Sequence, residues 1–587
     1  MAPSVRLAVF VLACAAALGT SAGAAPTDPP PLTPVTTPSH GVGPTVRHWV
    51  PTRHGAIAVD LTLPILSLGE RVPVIMRATP YAVLDATTDT TWVRRGYAFA
   101  VAQVLGTADS GGCWDYGGKR ERESIADVIE YLAGFALDGS SSPAAVWSSA
   151  KVGMIGASYD GTIANAAAVE APPHLETIVP EVAISDWYSY AYHDGVRYFL
   201  MDPGQRQGLV IDEQGFDTPL AFDAVYGVVP TRNRDDGFAL RLAERACPGV
   251  LDKIEHTARA YDLDPDFDAF WQERSYRLGG PVIAEAGISV LIEGGWRDYN
   301  VKHSESSRWF EAIPSDGDAF TMLVMGQQAH GAPDPEFSYG TLLHAWFDHF
   351  LYGYETGIRA QPRAWTMAND GVLRKDATWP PPGTEDVPLF LRADGSLSSS
   401  VPQLGEGTAS YVDTGVTTES EALRARGGDT MLWFESAPLT QDIRIAGIPR
   451  LDLHASTLGT STLFTPVLVD LGPPVSRSPS LCTFTPEAEA CVISRGFLNA
   501  RHRDGIEQGK DLSPGETYQA TVRFLDNDWV VKAGHRIGVA LMSSNVWWAL
   551  PDQQRAVNTI SLDGTAPSAL VLPIVGGGTA ATTGGLS

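Results

Sequence analysis

The sequence KVGMIGASYDG, residues 151–161, gives the strongest local indication of how this chain folds. The apolar run KVGMIG predicts a short buried strand, and the stretch that begins at Ser158, SYDGTIANAAAVEA, predicts a helix. Strand, sharp turn and helix in direct succession are typical of a nucleophile elbow, which holds a serine in a strained conformation above a parallel sheet. Gly156 and Ala157 are small enough to let the helix pack against the strand. We therefore expect Ser158 to be a nucleophile; the alternative is a serine that only caps the helix.

The chain around this segment alternates continuous apolar runs with stretches of helical periodicity. Such alternation indicates a parallel sheet covered by helices on both faces. The sequence therefore predicts the α/β class and, with the elbow, an α/β-hydrolase domain over residues 46–186 and 281–358. The predicted strands are 72–81, 97–106, 151–156, 177–185, 287–295 and 320–327, and the predicted helices include 122–135, 158–171 and 342–357.

Two further regions depart from this alternation. Residues 187–280 are rich in Tyr, Asp, Arg and Phe, have a mostly helical pattern and interrupt the predicted sheet. We expect them to form a helical cap over the strand ends, where such sheets bind ligands, although a plain surface excursion is the alternative. Residues 359–575 change to short alternating strands broken by turn residues and predict an all-β sandwich of the jelly-roll type. Residues 576–587 predict a disordered tail.

The first 45 residues predict export from the cell. Arg6 precedes the apolar run 7–18, and a small-residue site follows at Ala22-Gly23-Ala24. Residues 1–24 are therefore typical of a secretory signal peptide that is cleaved near Ala24. Residues 25–45, rich in Pro and Thr, predict an extended leader. No later run is long and apolar enough for a transmembrane helix, so we expect a secreted protein with no membrane partner.

The cysteine content is consistent with an oxidising compartment. Beyond the predicted signal peptide the chain contains Cys113, Cys247, Cys482 and Cys491. Cys482 and Cys491 are close in sequence and are expected to form one local disulfide, which leaves Cys113 to pair with Cys247. Four cysteines allow three pairings, and the sequence alone does not choose among them.

The charge of the chain limits its partners. A formal net charge of -26 repels phosphate backbones, so nucleic acid is not an expected partner. The charge is compatible with a neutral or cationic substrate, although solubility alone also explains it. No CxxC or HExxH spacing indicates a metal site, and we expect no cofactor.

A serine hydroxyl needs a base, and the base needs a carboxylate that orients it. In an α/β-hydrolase the acid and then the histidine follow the serine along the chain. Asp298 follows the predicted strand 287–295, and His330 follows the strand 320–327, so both are expected at the sheet edge that carries Ser158. The alternatives are Asp316, Asp318, His303 and His344. Solvation in a polar turn explains the two acids better, and positions within helices explain the two histidines better.

The tetrahedral intermediate of acyl transfer needs hydrogen-bond donors for its oxyanion. The backbone N–H of Tyr159, the residue after the nucleophile, is expected to be one donor. The second is expected from the loop after the strand 72–81, where the hydroxyl of Tyr81 can donate. A buried core tyrosine is the alternative for Tyr81.

Six stretches spread over nearly the whole predicted mature chain form a recognisable set: RATPY, DSGGCWDYGGKRERESIADVIEYL, KVGMIGASYDGT, GGWRDYNVK, VKAGHRIGVALMSS and WWALPD. Together they resemble the Xaa-Pro dipeptidyl-peptidase family and its relatives, the cocaine-esterase-like hydrolases. The family elbow, G-x-S-Y-x-G, explains why the second glycine lies at Gly161 while Asp160 occupies its common place. The extra Ala78 in RATPY and the sequence QVLG at 103–106 depart from the family pattern.

The resemblance implies a triad of Ser158, Asp298 and His330, with Tyr81 and Tyr159 at the oxyanion. It implies a serine hydrolase that releases N-terminal X-Pro dipeptides, with an esterase or amidase on a non-peptide acyl substrate as the alternative. An X-Pro substrate also needs a carboxylate for its amine and an aromatic slot for proline. Asp186 and Trp187 have suitable side chains for these tasks, although cap packing explains them equally well. A homodimer is compatible with the sequence.

Overall fold

The structure is a computed structural model of the 587-residue chain. It describes residues 29–81, 89–198, 245–250, 253, 265–315, 318–475, 484–486, 489–546 and 548–577. The predicted signal peptide, residues 1–24, lies outside the described residues. No helix in the described part of the chain combines the length and the apolar character that a bilayer crossing requires.

The first domain is built on a ten-stranded sheet with the order β1-β2-β4-β3-β5-β6-β9-β10-β11-β12. Its central strands, from β4 to β11, are parallel, and antiparallel strands close both edges. This topology confirms the predicted α/β class. The strands are β1 (Val42–Thr52), β2 (Gly55–Pro64), β3 (Val72–Thr79), β4 (Ala98–Gln103), β5 (Ser148–Ala157), β6 (Leu175–Glu181), β9 (Ser289–Gly295), β10 (Thr321–Gly326), β11 (Ala364–Met367) and β12 (Leu373–Asp376), with β7 (Tyr192–His193) and β8 (Val196–Arg197) as a separate hairpin.

Helices cover both faces of this sheet because successive strand side chains point to opposite faces. On β3, Val74 and Met76 join one apolar core while Ile75 joins the other. The first core receives α2 (Lys119–Ala133), α3 (Tyr159–Ala168), α6 (Gly280–Glu285) and α7 (Ser304–Ala312); the second receives α1 (Thr90–Arg94) and α8 (Tyr339–Tyr352).

The boundaries of this domain differ from the predicted ones at both ends. β1 begins at Val42, within the predicted leader, and residues 29–41 before it have no regular structure. The backbone N–H groups of Val35 and Thr36 bind the buried carboxylate of Asp348 on α8, which ties this segment to the domain. At the other end, β11 and β12 extend the sheet beyond residue 358. The sequence pattern predicts these residues to lie in the β-sandwich, because a short strand that completes a distant sheet has no local mark.

The insertion between β6 and β9 contains the predicted cap. Its described parts are α4 (Trp187–Ala191), the hairpin of β7 and β8, and α5 (Ala269–Glu273). Residues 199–244, 251–252 and 254–264 of the predicted cap lie outside the described residues. A disulfide between Cys113 and Cys247 ties the insertion to the loop after β4, with an S–S distance of 2.04 Å. Cys491 is also disulfide-bonded, but its predicted partner Cys482 lies outside the described residues.

The second domain is all-β, as predicted. Its strands surround an apolar core that includes Phe434, Leu453 and Trp529, and β17 pairs with both β25 and β28. β28 ends at Val575, and of the predicted tail only residues 576 and 577 are described. The described strands are β13 (Thr384–Leu391), β14 (Ser396–Ser398), β15 (Thr408–Val412), β16 (Leu432–Ser436), β17 (Ile443–Gly447), β18 (Arg450–Thr457), β19 (Leu463–Phe464), β20 (Val467–Leu471), β21 (Phe484–Thr485), β22 (Ala490–Arg495), β23 (Leu498–Asn499), β24 (Thr517–Arg523), β25 (Asn527–Val531), β26 (Arg536–Leu541), β27 (Val557–Ser561) and β28 (Ala569–Val575), and the described α-helix is α9 (Glu419–Ala425).

Candidate active site

Ser158 stands at the turn between β5 and α3. Its backbone has φ 60° and ψ -127°, a conformation that non-glycine residues rarely adopt. The backbone is fixed on both sides: the Ser158 N–H donates to Glu181 O at 2.8 Å, and the Ser158 carbonyl accepts from Thr162 N at 2.9 Å. The strain is consistent with the predicted elbow, because a strained residue persists only where surrounding contacts hold it.

The close fit of α3 on the sheet explains the displaced glycine. A Cβ atom at Gly161 would lie 2.5 Å from Gly156 O and 3.1 Å from Glu181 N, which are main-chain atoms that cannot rotate away. A Cβ atom at Gly156 would lie 2.6 Å from the carbonyl carbon of Asp160. The two glycines face each other, whereas Ala157, also predicted to serve this packing, is exposed.

Asp298 lies in the loop after β9 and is nearly inaccessible, with 3 % of its side chain exposed. Its Oδ1 accepts from the N–H groups of Asn300 and Val301, both at 3.0 Å. Its Oδ2 is 2.7 Å from Nδ1 of His330 in the loop after β10. The two amides fix the orientation of the carboxylate, and the carboxylate in turn fixes the imidazole.

The register of the sheet explains how these distant residues share one edge. Ala157 on β5 is paired with Glu181 on β6, Glu181 with Glu293 on β9, and Glu293 with Val324 on β10. These parallel strands run side by side and end together. Ser158, Asp298 and His330 all follow strand ends on this edge, and the structure brings Asp298 and His330 into direct contact.

The two predicted oxyanion tyrosines meet beside the elbow. The rings of Tyr81 and Tyr159 pack edge to face with centroids 6.3 Å apart. Tyr159 is the first residue of α3, so its N–H belongs to the helix terminus, where amides have no partner within the helix. The N–H groups at this end carry partial positive charge, which favours a developing oxyanion.

The side chains of Asp186 and Trp187 make hydrogen bonds within the protein. Asp186 is the N-cap of α4: its carboxylate accepts from Ser189 N at 2.9 Å and from the hydroxyl of Ser275. Trp187 is fully buried, and its indole N–H donates to Tyr276 Oη at 2.9 Å. These contacts match the packing alternative, and the substrate-binding roles stay predictions.

The alternative triad residues occupy other positions. Asp318 is exposed just before β10, whereas His330 follows β10, so the two residues lie at opposite ends of this strand. Asp316 lies outside the described residues. His344 packs on Trp92 in the core on the second face of the sheet, with centroids 4.9 Å apart. His303 is buried next to the loop of residues 296–302 that carries Asp298, called the acid loop below. Burial lowers the pKa of His303 to about 4, so its imidazole is neutral at pH 7.

A buried carboxyl that the sequence did not predict contacts the loop of residues 327–334, which carries His330 and is called the histidine loop below. Glu293 on β9 is 1 % exposed, and its Oε1 accepts from Nε2 of Gln328 at 2.6 Å. Burial, together with the neighbouring Glu181, raises the pKa of Glu293 well above its ordinary value. Gln328 lies two residues before His330, so this contact anchors the histidine loop. Glu293 has no sequence mark beyond an acidic residue in an apolar strand.

A second unpredicted group lies at the start of α3. Burial raises the pKa of Asp160 to about 7, although Thr79 and Arg77 oppose the shift. The Nε of Arg77 is 3.7 Å from the Asp160 carboxylate. This pair joins the RATPY loop to the elbow.

Within the described residues, no cluster of three His, Cys, Asp or Glu side chains could hold a metal ion.

Family models match this chain in two consecutive parts. The X-Pro dipeptidyl-peptidase (S15 family) model matches residues 55–332, which contain Ser158, Asp298 and His330. The model of the X-Pro dipeptidyl-peptidase C-terminal non-catalytic domain matches residues 356–580. The chain belongs to the X-Pro dipeptidyl-peptidase family. It is therefore a hydrolase.

Relatives of this X-Pro dipeptidyl-peptidase family member carry two kinds of name. A putative Xaa-Pro dipeptidyl-peptidase of Streptomyces avermitilis is 28% identical, over 91% of this chain and 84% of that protein. A cocaine esterase of Rhodococcus is 27% identical, over 90% of this chain and 97% of that protein. The crystal structure of an aminopeptidase from a marine sediment Thaumarchaeota archaeon has a TM-score of 0.67 at 17% identity, over 95% of this chain and all of that chain. That last likeness shows the fold alone.

Proposed function

We propose that this chain is a secreted serine hydrolase that releases X-Pro dipeptides from peptide N-termini, with Ser158 as nucleophile, His330 as general base and Asp298 as orienting acid. The 2.7 Å contact between His330 Nδ1 and Asp298 Oδ2 carries the proposal. With Nδ1 committed to the acid, Nε2 is the nitrogen that takes the serine proton. The Pro/Thr-rich segment and the predicted signal peptide support secretion.

The reaction follows as two acyl transfers. Ser158 attacks the carbonyl carbon of the substrate proline while His330 accepts the hydroxyl proton, and the Tyr159 N–H and Tyr81 hydroxyl stabilise the oxyanion. His330 then protonates the leaving amine. A water molecule, deprotonated by His330, hydrolyses the acyl-enzyme and regenerates Ser158. Burial of Asp298 strengthens its attraction to the imidazolium that forms in both steps.

Ester hydrolysis with the same triad is the second candidate. The observation that favours it is that Asp186, the predicted partner of a substrate amine, is buried and already accepts hydrogen bonds from Ser189 N and from the hydroxyl of Ser275. The cocaine esterase relative supports the same reading.

A substrate panel on the mature protein tests both candidates. Release of p-nitroaniline from Ala-Pro and Gly-Pro anilides, with kcat/KM far above that for short acyl esters, is the expected result. The reverse preference would favour the esterase. A fluorophosphonate probe should label the wild type but not Ser158→Ala, and absence of labelling in the wild type would exclude a serine hydrolase.

A further inference from the structure

The loop that carries Asp298 is held from outside its own domain. Tyr299, the next residue, accepts a hydrogen bond on its carbonyl from the hydroxyl of Tyr198 at 2.8 Å. Lys302, at the end of the loop, donates to Tyr192 O at 2.8 Å and lies 4.4 Å from the ring centroid of Tyr198. The cap insertion therefore fixes the backbone on one side of the acid.

The all-β domain holds the other side of the loop. The ring of Tyr299 packs edge to face on Trp548, with centroids 5.1 Å apart. The guanidinium of Arg495, on β22, lies 3.8 Å from the centroid of Trp548 and 4.8 Å from that of Tyr299. A guanidinium against aromatic faces is attracted to them most strongly when it is desolvated, and Arg495 is 1 % exposed.

Glu419 holds this guanidinium in place. Its carboxylate takes a bidentate pair from Arg495, Nε to Oε2 at 2.5 Å and Nη2 to Oε1 at 2.8 Å. The pair satisfies the charge of a buried arginine and fixes the plane of its guanidinium. A charged side chain buried at a domain junction is costly, so its contact with the acid loop needs a reason beyond filling space.

We propose that Arg495 is a positioning residue for catalysis, which holds Tyr299 and thereby keeps the Asp298 carboxylate against His330. This inference rests on the proposed triad. It gives the all-β domain a role in the reaction. A chain of contacts runs from Glu419 through Arg495 to Tyr299, and Tyr299 is covalently joined to the acid.

The primary test compares Arg495→Met with the wild type in the full chain. Methionine fills part of the space but cannot form the bidentate pair, so the acid loop loses one support. We expect kcat to fall about 10- to 100-fold, as for a small misplacement of a catalytic group, with KM changed less than about threefold. The far-downfield proton resonance of the His330 Nδ1–H, the signature of its bond to Asp298, should broaden or shift.

The matched control is Arg392→Met, which breaks a bidentate pair with Glu406 within the all-β domain. We expect this control to keep both kcat and the downfield resonance. A second variant, Tyr299→Leu, leaves the pair of Arg495 and Glu419 intact and removes only the ring that the guanidinium contacts. It should reproduce the kcat loss and the resonance change, and it decides the question if Arg495→Met does not fold.

The outcomes separate this inference from the proposed function. If the wild type hydrolyses substrate and shows the resonance, and folded Arg495→Met or Tyr299→Leu keeps both within twofold of the wild type, the positioning role is wrong while the triad stands. If the wild type shows no labelling of Ser158 by a fluorophosphonate, the triad itself fails.

Discussion

Replacement of Asp298 by asparagine changes one charge while keeping the shape of the acid. The two amides of Asn300 and Val301 donate to Oδ1, so the asparagine oxygen will occupy that place and its NH2 group will face His330. An NH2 group facing Nδ1 requires that nitrogen to be the acceptor. The ring proton then moves to Nε2, the nitrogen that should receive the proton of Ser158, so the base is held in the wrong tautomer.

The size of the effect follows from the burial of the pair. Asp298 has 3 % of its side chain exposed, and the contact to His330 is 2.7 Å, so the two charge centres lie about 4 Å apart. At an effective dielectric constant of about 20, this separation corresponds to about 4 kcal/mol of attraction to the imidazolium. Its loss slows the chemical step about a thousandfold, and the wrong tautomer adds to that, so we expect kcat/KM to fall about 10³- to 10⁴-fold.

The assay is steady-state hydrolysis of the best substrate from the panel, with the rate of fluorophosphonate labelling as a second measure. Asp348→Asn is the control, because Asp348 is equally buried but binds Tyr97 and the N-terminal segment on the other face of the sheet. The control should stay within a few-fold of the wild type if it folds. An Asp298→Asn protein that keeps more than a tenth of the wild-type kcat/KM would refute the assigned role of the acid.

Three further outcomes follow from the described contacts. Gly161→Ala places a methyl group 2.5 Å from Gly156 O, so we expect a loss of about 1–3 kcal/mol of stability in denaturant titrations. The pKa of Glu293 is raised in the folded state, whereas the unfolded chain releases this proton near the ordinary pKa of 4.5. Because the folded state binds the proton more tightly, the wild type loses stability as pH rises above about 4.5. In Glu293→Gln this contribution to the pH dependence of the unfolding free energy should be absent, which denaturation at pH 5 and pH 8 measures. Removal of the Cys113–Cys247 disulfide, which spans 134 residues, should cost up to about 5 kcal/mol, seen as a lower melting temperature that responds less to reductant than that of the wild type.

The sequence was sufficient wherever the signal is local. Apolar runs and helical periodicity predicted the central strands and helices of the first domain, because a buried strand or an amphipathic helix must carry its pattern within a few residues. The elbow and the two strand-end residues Asp298 and His330 were predicted in the same way. In a parallel sheet, position just after a strand already specifies which edge a residue occupies.

The sequence was insufficient wherever the outcome depends on contacts between distant segments. Asp186 has the chemistry to bind an amine, but its carboxylate also accepts a hydrogen bond from the hydroxyl of Ser275, which lies 89 residues away and leaves no local mark in the sequence. The strands β11 and β12 look like the β-rich region that follows them, and only pairing with β10 places them in the first domain.

The fold class, the order of the domains and the three residues proposed for catalysis follow from the amino-acid sequence alone, because each is encoded in short patterns of apolar, small and polar residues. The groups that support these residues became visible only in the folded chain: the buried carboxyl of Glu293, which contacts the histidine loop, and Arg495, which contacts the acid loop from almost two hundred residues further along the chain. Burial and long-range contact set the charge state and position of such groups, and neither is a property of a local stretch of sequence.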